Sequence, residues 1–332
     1  MNQALLTRLF KTIEGEKDAP LMKIAYSIIE DEKRKGHAKL AEKLEKLLNS
    51  KLSKSVNEKP ALKIAKDGTY KIPVDRRYKL PLATHIEHEQ LRHEMVLTPY
   101  IDSKILRIEK EYLARERLAH HGLKPRKKIL LHGPSGCGKS MAAERLAWDL
   151  GLPFYKVRFD TIISSYLGES ASNLQSLFES LEDFPCVLLL DEFDIIGKKR
   201  NLSSNDVGEI HRIVNILLGL LEEYDGEAIL VCTTNLEGSL DSALYRRFDD
   251  FIELPKPREK EIVDLLNNTF SALILSKDVD LNDYAKRMKG MSYAVIVKIA
   301  NDAAKKAVIH SSNEISIDDI TSAIEENKAI NR

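Results

Sequence analysis

One stretch constrains the architecture of this chain more than any other. It reads Gly133-Pro134-Ser135-Gly136-Cys137-Gly138-Lys139-Ser140. An aliphatic run precedes it and a helix-forming segment follows it. Glycines let the backbone turn its N–H groups around phosphate oxygens, and the following helix adds its N-terminal partial charge. The spacing therefore predicts a loop that binds a nucleotide such as ATP, with Lys139 at the β- and γ-phosphates and Ser140 on Mg²⁺.

About fifty residues further on, two carboxylates follow a wholly apolar run. Residues 187–190 read Val-Leu-Leu-Leu, and Asp191 and Glu192 come next. Ligands of parallel sheets bind beyond the carboxyl ends of the strands. We expect Asp191 to hold Mg²⁺ through its water shell and Glu192 to orient or deprotonate the attacking water. The alternative is that these two acidic residues cap a helix. The presence of a phosphate-binding loop in the same chain makes this alternative the weaker interpretation.

A third strand-like run, residues 228–233, leads into Thr234 and Asn235. An amide at this place bonds both an attacking water and the γ-phosphate, so its position reports whether that phosphate is present. Asn235 is therefore a candidate catalytic residue. An asparagine in an ordinary turn is equally consistent with the local sequence.

The wider pattern divides the 332 residues into four segments. Helical periodicity in residues 1–50 predicts a small helical domain. Our functional hypothesis assigns to it the recognition of a client or partner. Residues 51–97 have no sustained period and three prolines, which indicates a linker. Short aliphatic runs alternate with amphipathic stretches over residues 98–255, which predicts an α/β domain with a parallel sheet flanked by helices. Residues 256–332 have only helical periods and form a small all-helical lid.

The composition narrows the function classes. Lys+Arg and Asp+Glu both number 51, so no global positive field exists to hold nucleic acid or an anionic membrane. No apolar run approaches the roughly 20 residues of a membrane helix, and the amino terminus lacks the pattern of a secretory leader. Three cysteines without metal-like spacing indicate reduced thiols. We expect a cytoplasmic protein that binds neither membrane nor nucleic acid.

The block from Thr233 to Asp249 carries the most specific resemblance. Nearly position by position, it is similar to the second region of homology of the AAA family of ATPases, in its classical clade of stand-alone single rings. The resemblance covers about residues 99–327 and implies ATP hydrolysis by a homo-oligomer, usually a hexamer. In the family, arginines at the places of Arg246 and Arg247 reach the γ-phosphate held by the neighbouring subunit. A delocalised guanidinium suits the charge of a transferring phosphoryl group.

Two further segments resemble the same family. Tyr166, Leu167 and Gly168 match its pore loop, which in a ring grips an extended polypeptide; an aromatic packed into the core is the alternative. Residues 290–294 are similar to the segment that closes over the nucleotide, which implies a nucleotide-binding role for Ala294. Met291 and Tyr293 depart from the family pattern there. Ile262 stands where the first lid helix contacts adenine.

Four residues invite a metal interpretation, namely His85, Glu87, His88 and His93. Their spacing matches neither H-E-x-x-H nor its inverse, and charged residues flank them. A solvated linker is the interpretation that we adopt, and the chain contains no catalytic zinc motif.

These features together favour an ATP-driven protein remodeller or unfoldase that grips a protein client in the channel of a ring. The alternative is an ATP-gated scaffold or regulatory subunit that controls a separately encoded effector, such as a protease. A nucleic-acid motor is disfavoured by the zero net charge and by the absence of a lid arginine.

Overall fold

The structure is a computed structural model that describes residues 72–75, 78–162, 167–192, 204–235, 246–310 and 314–327. All of them belong to one compact unit that runs from Lys71 to Arg332. The predicted helical domain of residues 1–50 lies outside the described residues. None of the helices in these ranges is long and apolar enough to cross a membrane.

A six-stranded sheet forms the centre of the α/β domain, in the order β1-β3-β4-β5-β2-β6. Strand β1 pairs with β3 in antiparallel fashion, and all other neighbours are parallel. The strands β3, β4 and β5 are almost wholly buried, as aliphatic strands covered on both faces must be. The predicted α/β fold is confirmed. Its strands are β1 (Ala83–Ile86), β2 (Lys128–His132), β3 (Phe154–Val157), β4 (Val187–Leu190), β5 (Ile229–Thr234) and β6 (Asp250–Glu253).

Helices flank this sheet, and their ends follow local chemistry. The first begins after Thr98, whose hydroxyl accepts a hydrogen bond from the Ile101 N–H, with Pro99 at the first helical position. Its buried stripe contains Ile101, Ile105 and Ile108. The described helices are α1 (Pro99–Leu113), α2 (Arg115–His120), α3 (Lys139–Leu150), α4 (Phe159–Ile162), α5 (Leu167–Glu179) and α6 (Ser204–Glu223).

The lid, residues 256–327, has an apolar core of its own. Buried side chains from all four of its helices meet there, among them Ile262, Phe270, Ile296 and Ile320. A two-stranded parallel ribbon ties its two halves together. Its elements are α7 (Glu259–Thr269), β7 (Ile274–Leu275), α8 (Leu281–Arg287), α9 (Tyr293–Ile309), β8 (Glu314–Ile315) and α10 (Ile317–Asn327).

The prediction of a linker up to residue 97 is wrong for its last part. Residues 83–86 form the edge strand β1, and Leu82 and Leu91 are buried. Sequence reasoning missed this strand because it has four residues and alternates weakly. Among the described residues it pairs with β3, about seventy residues away, so tertiary pairing rather than local pattern decides its conformation.

A buried acidic side chain lies between α1 and α3. Glu109 is 8% exposed, and one of its carboxyl oxygens has no hydrogen-bond partner within the described residues. Burial, and then the charge of nearby Asp149, raises the pKa of Glu109 to about 7, while Arg145 opposes the shift. The folded chain therefore retains this proton over a range in which the unfolded chain has lost it.

We expect Glu109→Gln to stabilise the protein at pH 8 and to have little effect at pH 5. The raised pKa makes wild-type stability fall as the pH rises from the ordinary glutamate value to about 7, and the amide removes that loss, on the order of 1–3 kcal/mol. The midpoint of chemical unfolding at the two pH values measures the effect. Glu116→Gln, an exposed change on α2, is the control, and an equal shift at both pH values would contradict the prediction.

Candidate functional site

The phosphate-binding loop, residues 133–140, joins β2 to α3. Gly133 has φ +133° and approaches β6 so closely that a Cβ would lie 2.4 Å from the Leu254 carbonyl oxygen. Gly138, with φ +87°, is the N-cap of α3. A side chain at either place would be strained, so the loop geometry requires these glycines. The predicted loop thus lies at the carboxyl edge of the sheet, at the N-terminus of a helix.

Lys139 folds back onto this loop. Its ammonium donates hydrogen bonds of 2.8 Å to the carbonyl oxygens of Gly133 and Pro134, and the residue is 8% exposed. A buried ammonium needs such acceptors. The ammonium is therefore placed to donate to phosphate oxygens instead, which are stronger, charge-assisted acceptors, when a nucleotide is bound.

Asp191, directly after β4, is the centre of the polar network. Its Oδ1 accepts hydrogen bonds from Ser140 Oγ at 2.8 Å and from Thr233 Oγ1 at 2.7 Å. Its Oδ2 accepts from Lys156 Nζ at 2.6 Å. Burial by itself would raise the pKa of Asp191, but the hydrogen bonds from Lys156, Thr233 and Ser140 and the charge of Lys156 lower that pKa below its ordinary value. The carboxylate is therefore ionised and available to a cation.

Glu192 is held by its backbone beside this network. Its N–H donates to Thr233 Oγ1 at 2.8 Å, and its φ of +53° is left-handed. Non-glycine residues rarely adopt this conformation, and they do so mostly where the surroundings impose it. The Thr233 hydroxyl thus links the Asp191 carboxylate to the backbone of Glu192, a role that the sequence did not indicate.

These residues line one cavity of about 730 Å³, a volume that suits a ligand of nucleotide size. Its walls come from three parts of the chain: the loop and strand ends, the segment before α1, and the lid. Asn235 and Ala294, both predicted site residues, are among them. The lining comprises Arg92, Glu94, Met95, Val96, Ser135, Gly136, Cys137, Gly138, Lys139, Ser140, Met141, Asp191, Glu192, Thr233, Asn235, Leu265, Asn268, Thr269, Tyr293, Ala294 and Val297.

The lid touches the phosphate-binding loop directly. The Ala294 N–H, in the first turn of α9, donates to the Gly136 carbonyl at 3.0 Å. A Cβ on Gly136 would lie 2.8 Å from Ser292 Oγ. Glycine at position 136 therefore lets the first turn of α9 approach the loop, and any displacement of the loop must alter this contact.

The prediction for Ile262 is wrong. Ile262 is fully buried in the lid core and does not line the cavity. Leu265, Asn268 and Thr269 of the same helix line it instead. A helical residue faces one side only, and the side that contains Ile262 packs against the other lid helices.

Met291 and Tyr293, the two lid residues that depart from the family pattern, lie in different environments. Met291 is buried in the lid core, where its flexible side chain fills space. Tyr293 lines the cavity, and burial raises the pKa of its hydroxyl. An aromatic ring therefore replaces the usual glycine at the wall of the candidate nucleotide site.

The segment before α1, predicted as linker, covers the site. Arg92 binds the buried Glu144 of α3 through its backbone N–H, its Nε and a second guanidinium nitrogen. This anchor holds Met95 and Val96 at the cavity. The sequence did not indicate the pairing, because its two partners are 52 residues apart.

The histidines of the same region contact an aromatic ring. His88 and His93 both stack on Trp148 of α3, with centroid distances of 4.1 and 3.9 Å and an interplanar angle of 4° in each case. His85 lies 3.4 Å from Glu87. Part of the predicted solvated linker is therefore packed against the domain.

Arg246 and Arg247, predicted to act on the nucleotide of a neighbouring subunit, do not line the cavity of their own chain. They lie in the turn before β6, where Asp249 accepts hydrogen bonds from the N–H groups of Lys127 and Lys128 at the beginning of β2, the end that lies away from the phosphate-binding loop. Five strand residues separate that end from the phosphate-binding loop, a distance of roughly 15 Å. Arg247 Nε lies 3.0 Å from Glu222 Oε2 at the end of α6, and Arg246 is exposed.

Of the predicted pore loop, Tyr166 lies outside the described residues. The backbone of Leu167 and Gly168 forms the first turn of α5, so these two positions are helical.

Comparisons with known proteins match the part of the chain that contains the phosphate-binding loop and the strand ends. The model of the "ATPase family associated with various cellular activities (AAA)" matches residues 129–256. A protein of Sinorhizobium fredii named "Uncharacterized AAA family ATPase y4kL" is 33% identical over 310 residues, which are 93% of this chain and 91% of that relative.

Two further relatives match only in part. The ATP-dependent zinc metalloprotease FtsH 3 of Synechocystis is 33% identical over 218 residues, 63% of this chain and 35% of the relative. The proteasome-activating nucleotidase of Methanocaldococcus jannaschii is 32% identical over 211 residues, 61% of this chain and 49% of the relative. The chain thus spans between about a third and a half of the length of these two proteins.

Proposed function

This chain belongs to the AAA family of ATPases, and we propose from that premise that it is an ATP-driven protein remodeller that acts as a homo-hexameric ring. It hydrolyses ATP and uses Mg²⁺ as its cofactor. The observation that carries the proposal is the separation of Arg246 and Arg247 from the phosphate-binding loop of their own chain. Reduced, buried cysteines support a cytoplasmic location.

The residues at the carboxyl edge of the sheet divide the work of hydrolysis. Ser140 Oγ and the Asp191 carboxylate are hard oxygen donors 2.8 Å apart, so they fit Mg²⁺, which neutralises phosphate charge when bound. Lys139 exchanges its carbonyl partners for the phosphates. Glu192 orients the attacking water and accepts its proton, and Asn235 bonds that water and the γ-phosphate.

The arginines complete a neighbour's site. Their turn is bound to the beginning of β2, a strand length of roughly 15 Å from the phosphate-binding loop, and they do not line the cavity of their own chain. A second copy that places its nucleotide against this edge receives a delocalised positive charge where phosphoryl charge develops. Arg246 is exposed, and Arg247 must exchange Glu222 for the phosphate. Hydrolysis thereby depends on assembly.

Two other segments of the chain act on the protein client. Tyr166, Leu167 and Gly168 grip an extended polypeptide, because flat apolar contact tolerates many sequences. Residues 1–50 select the client. ATP turnover changes the contact between Ala294 and Gly136, which transmits the state of the nucleotide to the lid.

An ATP-gated scaffold is the second candidate, and the same contact between the lid and the phosphate-binding loop favours it. A lid that moves with the γ-phosphate can switch the binding of a partner without translocation. The names of two relatives, a zinc metalloprotease and a proteasome-activating nucleotidase, support a protease as such a partner. That protease would be separately encoded.

We expect Glu192→Gln to retain ATP binding and to hydrolyse ATP roughly 100-fold more slowly, since the amide cannot accept the proton of the water. Equilibrium binding of a fluorescent ATP analogue and phosphate release measure the two properties. Glu116→Gln is the matched control. Lost binding would instead assign Glu192 to the scaffold of the site.

We expect the double variant Arg246→Ala/Arg247→Ala to bind nucleotide normally and to lose most hydrolysis, on the order of 10³-fold. Adding an excess of Glu192→Gln should restore turnover, because that variant supplies intact arginines to the intact sites of the other. Arg117→Ala is the control. Hydrolysis at the wild-type rate, or mixing without recovery, would contradict the assignment to a neighbouring site.

Tyr166→Ala separates the remodeller from the scaffold. A remodeller loses grip, so the stimulation of ATP hydrolysis by fluorescein-labelled casein should fall by roughly tenfold, with Tyr166→Phe close to wild type. A scaffold is indifferent to both changes. Equal stimulation in the wild type and in both variants would therefore favour the scaffold.

A further inference from the structure

Lys156 is a charge in an otherwise uncharged part of the sheet. Strands β3, β4 and β5 contain no other ionisable side chain apart from Tyr155 and Cys232. Lys156 pairs in register with Leu189, so it lies beside the strand end that leads to Asp191. Lys156 is the exposed residue of β3, whereas Phe154, Tyr155 and Val157 are buried. A lysine here requires a reason that packing does not supply.

The contact between Lys156 and Asp191 supplies that reason. Its ammonium lies 2.6 Å from Asp191 Oδ2, whereas the two hydroxyl donors, Ser140 and Thr233, both bind Oδ1. The two oxygens of Asp191 are thus divided between a positive charge and two neutral donors. The aspartate side chain is 16% exposed and the lysine side chain 45% exposed, so the ammonium approaches the carboxylate from the solvent side.

We propose that Lys156 is a positioning residue of the nucleotide site: its ammonium holds Asp191 while no nucleotide is bound, and it competes with Mg²⁺ for that carboxylate. This inference rests on the proposed role of Asp191. A monovalent and a divalent cation on one carboxylate repel each other, so Mg²⁺ must displace the ammonium to bind. Because the lysine is half-exposed, it can move away into solvent without disturbing the sheet.

The competition sets the free Mg²⁺ concentration at which nucleotide binding becomes tight. In the absence of Mg²⁺, the ammonium keeps the carboxylate in place and shields the phosphates from its negative charge. When Mg²⁺ is abundant, the ion takes over both tasks. The pair therefore raises the Mg²⁺ concentration at which nucleotide binding becomes tight while preserving the geometry of the empty site.

The test measures binding of mant-ADP and of a mant-labelled non-hydrolysable ATP analogue to the full chain over a range of free Mg²⁺. We expect Lys156→Met to lower the half-saturating Mg²⁺ concentration by roughly 3- to 10-fold, because the competitor is removed. In EDTA the same variant should bind nucleotide more weakly and unfold at a lower temperature. Lys156→Arg should behave like the wild type in both measurements.

Lys124→Met is the matched control, because it removes another exposed ion pair, 2.6 Å to Asp225, away from the candidate cavity. Lys156→Gln repeats the test if the methionine variant fails to fold. An unchanged or increased Mg²⁺ requirement in Lys156→Met and Lys156→Gln would overturn the inference. A wild-type chain that binds neither nucleotide at any Mg²⁺ concentration would overturn the proposed function instead, so the two failures are distinguishable.

Discussion

The parallel register of β4, β5 and β2 is the constraint on which the rest of the structure depends. Leu190 pairs with Cys232, and His132 pairs with Thr234, so three strands end at the same edge of the sheet. Each strand then continues into a polar residue or a turn. Backbone hydrogen bonds between buried strands allow no slip without exposing aliphatic side chains, which makes this edge a rigid platform for polar groups.

Asp191 lies at the centre of the polar groups on this edge. It receives hydroxyls from the phosphate-binding loop and from β5 and an ammonium from β3, so one carboxylate connects three strands. A buried carboxylate without such donors would take up a proton. The hydrogen bonds keep the Asp191 carboxylate ionised, and a negative charge at this place suits the binding of a magnesium nucleotide.

The same strand geometry separates the nucleotide site of a chain from Arg246 and Arg247 of that chain. The turn before β6 is bound through Asp249 to the beginning of β2, while the phosphate-binding loop follows its end. A single copy thus has a nucleotide cavity at one edge and a cationic turn at the other. We propose that identical copies arranged in a ring bring these two edges together, so that hydrolysis depends on assembly.

The sequence by itself determined the α/β fold, the phosphate-binding loop and the acidic strand end, because each rests on a local pattern: glycine spacing, aliphatic runs and the residues that follow them. Tertiary structure alone decided that β1 joins the sheet, that Arg92 clamps Glu144, that Ile262 packs into the lid and that Lys156 reaches Asp191. These contacts join residues far apart in the chain or depend on which side of a helix faces a neighbour. Local periodicity contains no information on either, since the packing of distant segments settles both.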